Sequence, residues 1–277
     1  RAGVRVTDEN VAIAKSGMRP RIAATGSASL ATRGSTEIRA GEFGITLQQP
    51  IFDGFQTRNN VRASEAQVRA ANESLRNDEL NVLFDAASAY MNVIRDRQIA
   101  ALRTENLQFL EEQVRSARSR LEVGEGTRTD VAQAEANRQL ALAQLAAARA
   151  QASASAALYQ QIVGDAPDSL QMPSPLAGLL PANLDQALAV ALSEHPAIAA
   201  TQHLVDAAAF SVKAAEGSLL PQLSANAGLS RSFQDSSPTL QQDGTTNSAS
   251  VGLSLSIPIY QGGEASARVR QSKESLG

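Results

Sequence analysis

The feature that most constrains this chain is a very long stretch, from Phe55 to Val123, that contains neither glycine nor proline. It is rich in Ala, Leu, Glu, Gln and Arg, which are strong helix formers. At about 1.5 Å per residue, a single helix of this length extends on the order of 100 Å. Its apolar residues step by three and four, which is typical of a helix in a coiled-coil-like pair. The predicted seam consists of Leu80, Phe84, Ala87, Met91 and Ile94, followed by Leu107, Leu110, Val114, Ala117 and Leu121.

The sequence RLEVGEGTRTDV interrupts this helical pattern with two glycines and restarts it at once. Gly124 can end the first helix in a left-handed conformation, and Thr127 with Asp130 matches a capping box that starts a second helix over 127–163. A short turn between two helices makes them antiparallel neighbours. We therefore predict a helical hairpin over 55–163 with its tip at the glycines. The second seam is Ala134, Ala141, Leu145, Ala148 and Ala152.

After the hairpin, a proline-rich segment over 164–183 has the composition of a linker. Helical signals resume over 184–217 and are broken at Pro196. The helix over 127–163 is too short to accompany the whole of the first helix. We therefore expect the return path along that helix to consist of two pieces.

Four further segments alternate apolar with small polar residues at a period of two, which predicts strands with one apolar face. They form two predicted strand pairs, over 21–52 and 221–260, with polar loops near 33–39 and 234–247. Four strands cannot close a barrel, which needs about eight, and an open apolar sheet is a liability. The chain is therefore expected to oligomerise, with apolar side chains facing lipid and polar side chains facing a wet lumen.

Two stretches of the sequence are copies of one another. GITLQQPIFDGF begins at Gly44, and GLSLSIPIYQGG begins at Gly252. In each copy a proline, followed by an isoleucine and an aromatic residue, closes the strand, and a glycine opens the next helix. The spacing is too long for a solenoid and indicates a duplicated half. The chain therefore divides into a first repeat over 1–183 and a second repeat over 184–277.

The order of these elements closely resembles that of the TolC-type outer membrane efflux proteins, or outer membrane factors, of Gram-negative bacteria. Three patterns carry the resemblance: the VGEGTRTDV tip, the repeated P-I-[FY]-x-G, and LDQALAVALSEHPAI at the start of the second repeat. It implies a mainly α fold with β, in which long antiparallel helices form an α-barrel. The four amphipathic strands contribute to an oligomeric transmembrane β-barrel of twelve strands in a homotrimer. The linker over 164–183 is then equatorial.

The resemblance also implies a function as the passive exit duct of a tripartite efflux pump or a type I secretion system. Such a duct lies in the outer membrane, contacts its lipid and extends into the periplasm. Its partners are a periplasmic adaptor and an inner-membrane pump or ABC transporter, and adaptor docking at the helix tips opens it. The sequence ends just after the second strand pair, so we expect the fourth hairpin, with the acidic ring of the family, to lie outside it.

The resemblance assigns two roles to the tip. The first is contact with the adaptor, by Val123, Gly124, Gly126 and Thr127. The second is gating of the entrance by Thr129 and Asp130 through bonds to an arginine of the fourth hairpin. The alternative for the first set is turn geometry alone, and the alternative for the second is the capping box, in which a carboxylate favours the helix N-terminus. Adaptor contact and turn geometry can both apply to the first set, and gating and capping can both apply to the second.

Aromatic residues at strand ends are candidates for the interfacial girdle of a membrane barrel. Phe52 and Tyr260 are the strongest candidates, because they occupy equivalent positions of the repeat. The alternative is ordinary packing between barrel and helices, which applies equally to Phe55.

Other function classes find little support. The net charge of −3 and the pI near 5.6 give no basic footprint for nucleic acid. The chain has no cysteine, and no catalytic triad or phosphate loop appears, so we predict neither an enzyme nor a cofactor. His195 and His203 do not suggest a metal site, and His195 is expected to cap a helix. Two alternatives to a channel remain: a periplasmic adaptor of the membrane-fusion type and a soluble coiled-coil scaffold.

Overall fold

A computed structural model describes residues 2–174, 178, 180–237 and 243–276. Two predicted segments, the linker over 164–183 and the loop over 234–247, lie partly outside the described residues. The helices are α1 (Ala2–Lys15), α2 (Gln56–Glu122), α3 (Arg128–Val163), α4 (Leu184–Glu194), α5 (Pro196–Gly217) and α6 (Glu264–Glu274). The strands are β1 (Arg21–Arg33), β2 (Thr36–Phe52), β3 (Gln222–Ser237) and β4 (Gly244–Ser256), and a 3-10 turn covers Ser16–Met18.

The chain forms two compact units. One contains Arg1–Arg76 together with Leu188–Gly277, and the other contains Asn77–Ala187. Helix α2, of 67 residues, contributes to both. Within the described part of the chain, no helix is both long enough and apolar enough to cross a membrane.

The first unit contains one antiparallel sheet of four strands in the order β1-β2-β3-β4. The two predicted hairpins are present, and β2 pairs with β3 to join them. The register places Ile22, Leu47, Ala227 and Val251 opposite one another in one row. Because opposite residues of an antiparallel sheet share a face, the apolar positions of all four strands lie on the same side.

The helices of the first unit pack through small side chains. Helix α5 packs on α6, and the Arg62 guanidinium of α2 lies 5.7 Å from the centre of the Phe210 ring of α5. The buried apolar residues are Ala63, Ala66, Ala70, Ala200, Ala207, Val212, Ala214, Ala265 and Val269. Each of these side chains buries little area, so the packing of the helices depends on having many such side chains.

In the second unit, α2 and α3 pack along a seam that the sequence predicted only in part. Val114, Ala117, Ala141 and Leu145 are buried, as expected for the tip half of the hairpin. The predicted continuation of the α2 seam was wrong except at Ile94. Leu80, Phe84, Ala87 and Met91 are exposed, and the buried positions are instead Ala89, Val93 and Asp96. A spacing of three and four fits either set, and only the position of α3 selects the face that is covered.

Candidate functional site

The tip of the hairpin is a tight turn that is held by backbone hydrogen bonds. Gly124 has φ +81°, the left-handed conformation that glycine adopts readily. Its N–H donates to the Leu121 carbonyl at 3.1 Å, and the Glu125 N–H donates to the Arg120 carbonyl at 2.8 Å. These two bonds form a Schellman motif, which satisfies carbonyls at the end of α2. Gly124 therefore ends the helix in the predicted way.

The start of α3 has the predicted capping box. The Asp130 N–H donates to the Thr127 hydroxyl oxygen at 3.2 Å, and the Thr127 N–H donates to the Asp130 carboxylate at 2.9 Å. The Thr127 hydroxyl also donates to that carboxylate, at 2.8 Å. These bonds, led by the backbone N–H of Thr127 and helped by the charge of Arg120, hold the pKa of Asp130 below its usual range. Asp130 is therefore an anion that stays solvent-exposed at the tip.

The remaining predicted tip residues lie in the same short turn. Val123 is 70% exposed, and Thr127 and Thr129 are exposed as well. A Cβ at Gly126 would crowd the end of α2, because it would lie 3.2 Å from the Leu121 nitrogen. The turn therefore presents one apolar side chain, hydroxyls and a carboxylate to solvent.

Below the tip, α2 and α3 are held together by charged and polar side chains. The Arg118 guanidinium lies 2.5 Å from the Glu135 carboxylate, and the Arg103 guanidinium donates to the side-chain amide oxygen Oε1 of Gln144 at 2.9 Å. A polar groove opens between the two helices. It is lined by Gln113, Ser116, Ala117, Arg120, Asp130, Gln133, Ala134 and Asn137.

Sequence reasoning missed a buried carboxylate farther down the hairpin. Asp96 is 3% exposed and accepts hydrogen bonds from Arg95 Nε at 2.8 Å, from the Ser155 hydroxyl and from Gln151 at 3.5 Å. These bonds, with that of Arg95 the strongest, lower its pKa to about 2. Asp96 lies one heptad after the buried Ala89, but spacing alone did not select this face of α2 over the predicted one, so the sequence carried no signal for it. Asp96 ties α2 to α3 at one register.

The linker is attached to α2 by two side chains. The Tyr90 hydroxyl donates to the Gln171 carbonyl at 2.6 Å and accepts from the Gln171 N–H at 2.9 Å. The Arg97 guanidinium donates to the carbonyls of Pro167 and Asp168 at 2.7 and 2.9 Å. The described part of the linker therefore follows the surface of the hairpin.

The two predicted girdle residues lie in different surroundings. Phe52 is the last residue of β2, is half-buried, and its ring meets that of Phe55 edge-on at 5.1 Å. Tyr260 lies beyond the end of β4 and is 87% exposed. Among the described residues of the sheet, the apolar face is bare, with Val251 90% exposed.

The histidines behave as structural residues. His195 is the N-cap of α5, and its Nδ1 accepts from the Ala197 N–H at 3.2 Å, as predicted. His203 lies in α5, with its Nδ1 3.7 Å from an Asp206 oxygen. Among the described residues, no group of three or more His, Cys, Asp or Glu could hold a metal ion.

The chain matches one protein family and several relatives of known type. The sequence model of the family described as outer membrane efflux protein matches residues 1–164 and 187–277. The outer membrane efflux protein BepC of Brucella suis biovar 1 (strain 1330) is 54% identical over 278 residues, which cover 100% of this chain and 60% of BepC. The alkaline protease secretion protein AprF of Pseudomonas aeruginosa is 31% identical over 238 residues, which cover 84% of this chain and 49% of AprF.

Solved structures have the same fold. The crystal structure of CusC superposes with a TM-score of 0.85 over 99% of this chain and 65% of that chain, at 17% identity. The chain therefore spans about half to two thirds of the length of these relatives. The predicted fold class, long antiparallel helices with four amphipathic strands, is confirmed.

Proposed function

Because this chain belongs to the outer membrane efflux protein family, we propose that it is a subunit of a passive exit duct for efflux or protein secretion. Membership of the family makes it an outer membrane protein that extends into the periplasm. The duct is the outer part of a tripartite efflux pump or of a type I secretion system. Its relatives include both uses by name, since BepC is an efflux protein and AprF a protease secretion protein.

The observation that carries the proposal is the sheet. Its apolar residues share one exposed face, and within the described chain β1 and β4 each have a strand on one side only. In a bilayer an apolar outer face is favourable, but open edges are not, because their N–H and C=O groups find no water. Copies of the chain can remove the edges by closing a barrel. Three copies supply twelve strands, which supports a homotrimer.

The duct needs partners rather than catalytic residues. Its transport is passive, and an inner-membrane pump or ABC transporter supplies the energy through a periplasmic adaptor. The tip supports adaptor contact because Val123, Gly124 and Thr127 are exposed and lie with Gly126 in one hydrogen-bonded turn. It supports gating by Thr129 and Asp130 because the carboxylate is ionised and solvent-accessible.

The oligomer is tested by the mass of the full-length protein in detergent, measured by light scattering. A particle of three chains that depends on detergent for solubility is expected. One or two chains that stay soluble without detergent would contradict the duct and support an adaptor or a scaffold.

Adaptor contact is tested at Val123. We expect Val123→Asp to abolish co-purification of the adaptor and to restore susceptibility to exported compounds, because it places a charge in the apolar part of the turn. The matched control is Val123→Thr, which conserves the shape and should behave as wild type. Equal behaviour of both variants with full export would contradict the contact.

Gating is separated from capping by Asp130→Asn. The amide oxygen can still accept from the Thr127 N–H, so the cap is retained while the charge is lost. We expect a leaky channel with higher conductance in planar bilayers and unchanged helix content. Glu125→Gln removes a charge from the same turn and is the control. If both variants conduct like wild type, Asp130 has only its capping role.

A further inference from the structure

An arginine interrupts the apolar face of the sheet. The register places Arg231 of β3 opposite Phe43 of β2 and opposite Asn247 of β4. Its neighbours along β3 on the same face are Leu229 and Phe233, which are 63% and 51% exposed. Arg231 is itself exposed. A cation therefore lies on the same side of the sheet as the exposed apolar side chains.

The charge of Arg231 differs in its surroundings from that of the other arginine described on this face. The Arg39 guanidinium lies 3.8 Å from the Glu37 carboxylate, and the register places Arg39 opposite Asp235. Within the described part of the sheet, Arg231 makes no ion pair, and its two cross-strand neighbours are an aromatic ring and a neutral amide. Arg231 can therefore bind an anion from outside the chain, whereas Arg39 is already balanced.

The position of Arg231 along the strand places it near the outer surface of the membrane. Helices α1 and α5 lead into β1 and β3, and α2 follows β2, so the helices and hence the periplasm lie at one end of the sheet. Phe52 ends β2 there, and Phe43 lies nine residues closer to the loops, about 30 Å along the strand. At a strand tilt of about 40° this is roughly 23 Å along the membrane normal, close to the usual height of about 25 Å for an apolar band. The row of Phe43 and Arg231 therefore lies at the outer edge of the band.

The side chains around Arg231 suit a phosphate group. An arginine binds phosphate through two parallel N–H donors, and such bonds are stronger than those between neutral groups. Asn247 offers an amide donor directly across the strand pair, and Thr245, two residues farther along β4 on the same face, offers a hydroxyl. Asn247 and Thr245 are both exposed. Three donors therefore lie together where the apolar band ends.

We propose that Arg231, Asn247 and Thr245 bind a phosphate of lipid A, the phosphorylated glycolipid of the outer leaflet, and that Phe43 and Phe233 contact its acyl chains. A phosphate partner also accounts for an arginine on a face turned toward lipid, because a charged side chain is tolerated there near the interface and not at the centre of the bilayer. This inference rests on the proposed function, since the face meets lipid only when the sheet is part of a membrane barrel.

The proposal is tested by binding of bisphosphorylated lipid A to the full-length protein in detergent, measured by native mass spectrometry. The wild-type protein should bind it more tightly than dephosphorylated lipid A. Arg231→Gln should weaken binding about tenfold, because the charged hydrogen bonds to phosphate are lost. Equal affinity of the wild-type protein for the two lipids would overturn the proposal.

The matched control is Arg39→Gln. It removes the same residue type from the same face of the neighbouring strand, but its charge is already balanced by Glu37. It should bind lipid A as the wild type does. Equal losses for Arg39→Gln and Arg231→Gln would indicate general attraction by surface charge and would overturn the site.

A second variant keeps the test decisive if Arg231→Gln does not assemble. Asn247→Ala removes one neutral donor from an exposed position and should weaken binding about threefold. Unchanged affinity of Asn247→Ala would overturn the site.

Two competitors identify the source of the phosphate. Neither phosphatidylglycerol nor inorganic phosphate, at the concentration of lipid A, should displace it. Displacement by either would overturn the assignment to lipid A, because the site would then bind any phospholipid or the free ion.

The mass of each protein by light scattering separates the two possible failures. A detergent-dependent particle of three chains in which Arg231→Gln binds lipid A like the wild type would overturn this inference and leave the duct intact. A wild-type protein that is a single chain and soluble without detergent would overturn the duct as well.

Discussion

The two strand–turn–helix copies, 44–55 and 252–263, share their local geometry and differ in their strands. In both, two consecutive residues adopt φ between 61° and 84°, and the first helical bonds match. Yet β2 continues through Pro50 to Phe52, whereas β4 ends at Ser256, before Pro258. The local sequence determines the turn. The length of the strand depends on whether a neighbouring strand is there to pair with it.

Pro50 illustrates why the neighbour matters. A proline cannot donate a ladder hydrogen bond and is tolerated in sheets mainly at edges and bulges. In β2 it lies at the register shift between Pro50 and Phe52, where β3 still supplies partners at Ser224 and Leu223. Among the described residues Pro258 has no such strand partner, and regular pairing stops before it.

The largest expected difference in stability between the two copies is at the equivalent glycines Gly54 and Gly262. Gly54→Ala adds backbone strain and a clash with the Gly217 carbonyl, together roughly 4 kcal/mol of unfolding free energy. Gly262→Ala adds only the strain of positive φ, about 1–2 kcal/mol, to the single chain. Denaturant unfolding in detergent, followed by circular dichroism, measures both. Equal losses of unfolding free energy for the two variants would contradict the expected difference between the copies.

Asp96 lies outside the two copies, and a substitution there gives a stability change with which those in the copies can be compared. Asp96→Asn should cost about 2 kcal/mol, because the buried carboxylate loses a charged hydrogen bond with Arg95. Since the folded pKa is about 2, the carboxylate stabilises the fold above pH ~4, and this contribution is lost as the pH falls toward 2. The variant should therefore lose less stability than wild type over that range. Parallel pH profiles for wild type and variant would contradict the role of Asp96.

Phe55 differs in type from its counterpart in the second copy, which is Gly263. Phe55 has φ +63° and is the one non-glycine residue with positive φ in the described chain. Phe55→Gly removes the strain but loses the ring contact with Phe52, so the net change should stay within about 1 kcal/mol. Phe55→Ala keeps the strain, loses the ring, and should cost about 1–2 kcal/mol. Thermal unfolding of the two variants checks this order, and a more stable alanine variant would contradict it.

The smallest expected difference in stability between the copies concerns the N-terminal caps of α2 and α6. The Asp53 carboxylate accepts from the Thr57 N–H at 2.7 Å, whereas Gly263, the N-cap of α6, makes no side-chain cap bond. Asp53→Ala should cost about 1 kcal/mol. Gln261→Asp, the reciprocal change, should stabilise α6 by up to about 1 kcal/mol, since its carboxylate can reach the Ala265 N–H. Amide hydrogen exchange of α6 reports the gain, and no added protection would contradict the equivalence of the turns.

Sequence patterns predicted most of the fold because they depend on local chemistry. The absence of Gly and Pro predicted the extent of α2, and Gly124 with Thr127 predicted the tip. The alternation of apolar and polar residues predicted the strands. Two features depended on distant partners and were not predictable in this way. One is the face of α2 that α3 covers near Asp96, and the other is the β2–β3 pairing that joins the hairpins.

The local structure of the candidate site was also predictable from the sequence, whereas its roles were not. The turn and capping box at Val123 to Asp130 follow from residue types, and the structure has both. The roles of the tip in docking and gating remain predictions, as does a girdle role for Phe52 and Tyr260. Those roles depend on surfaces of other molecules, which no pattern within this chain specifies.

In the assembled protein, β4 is expected to be as fully paired as β2 is within one chain. Amide hydrogen exchange of the full-length protein in detergent, read for peptides 44–52 and 252–260, tests it with matched sequences. We predict similar slow exchange in both peptides, because a second copy pairs with β4. Fast exchange of 252–260 beside a protected 44–52 would contradict the claim, since it would leave β4 as an open edge.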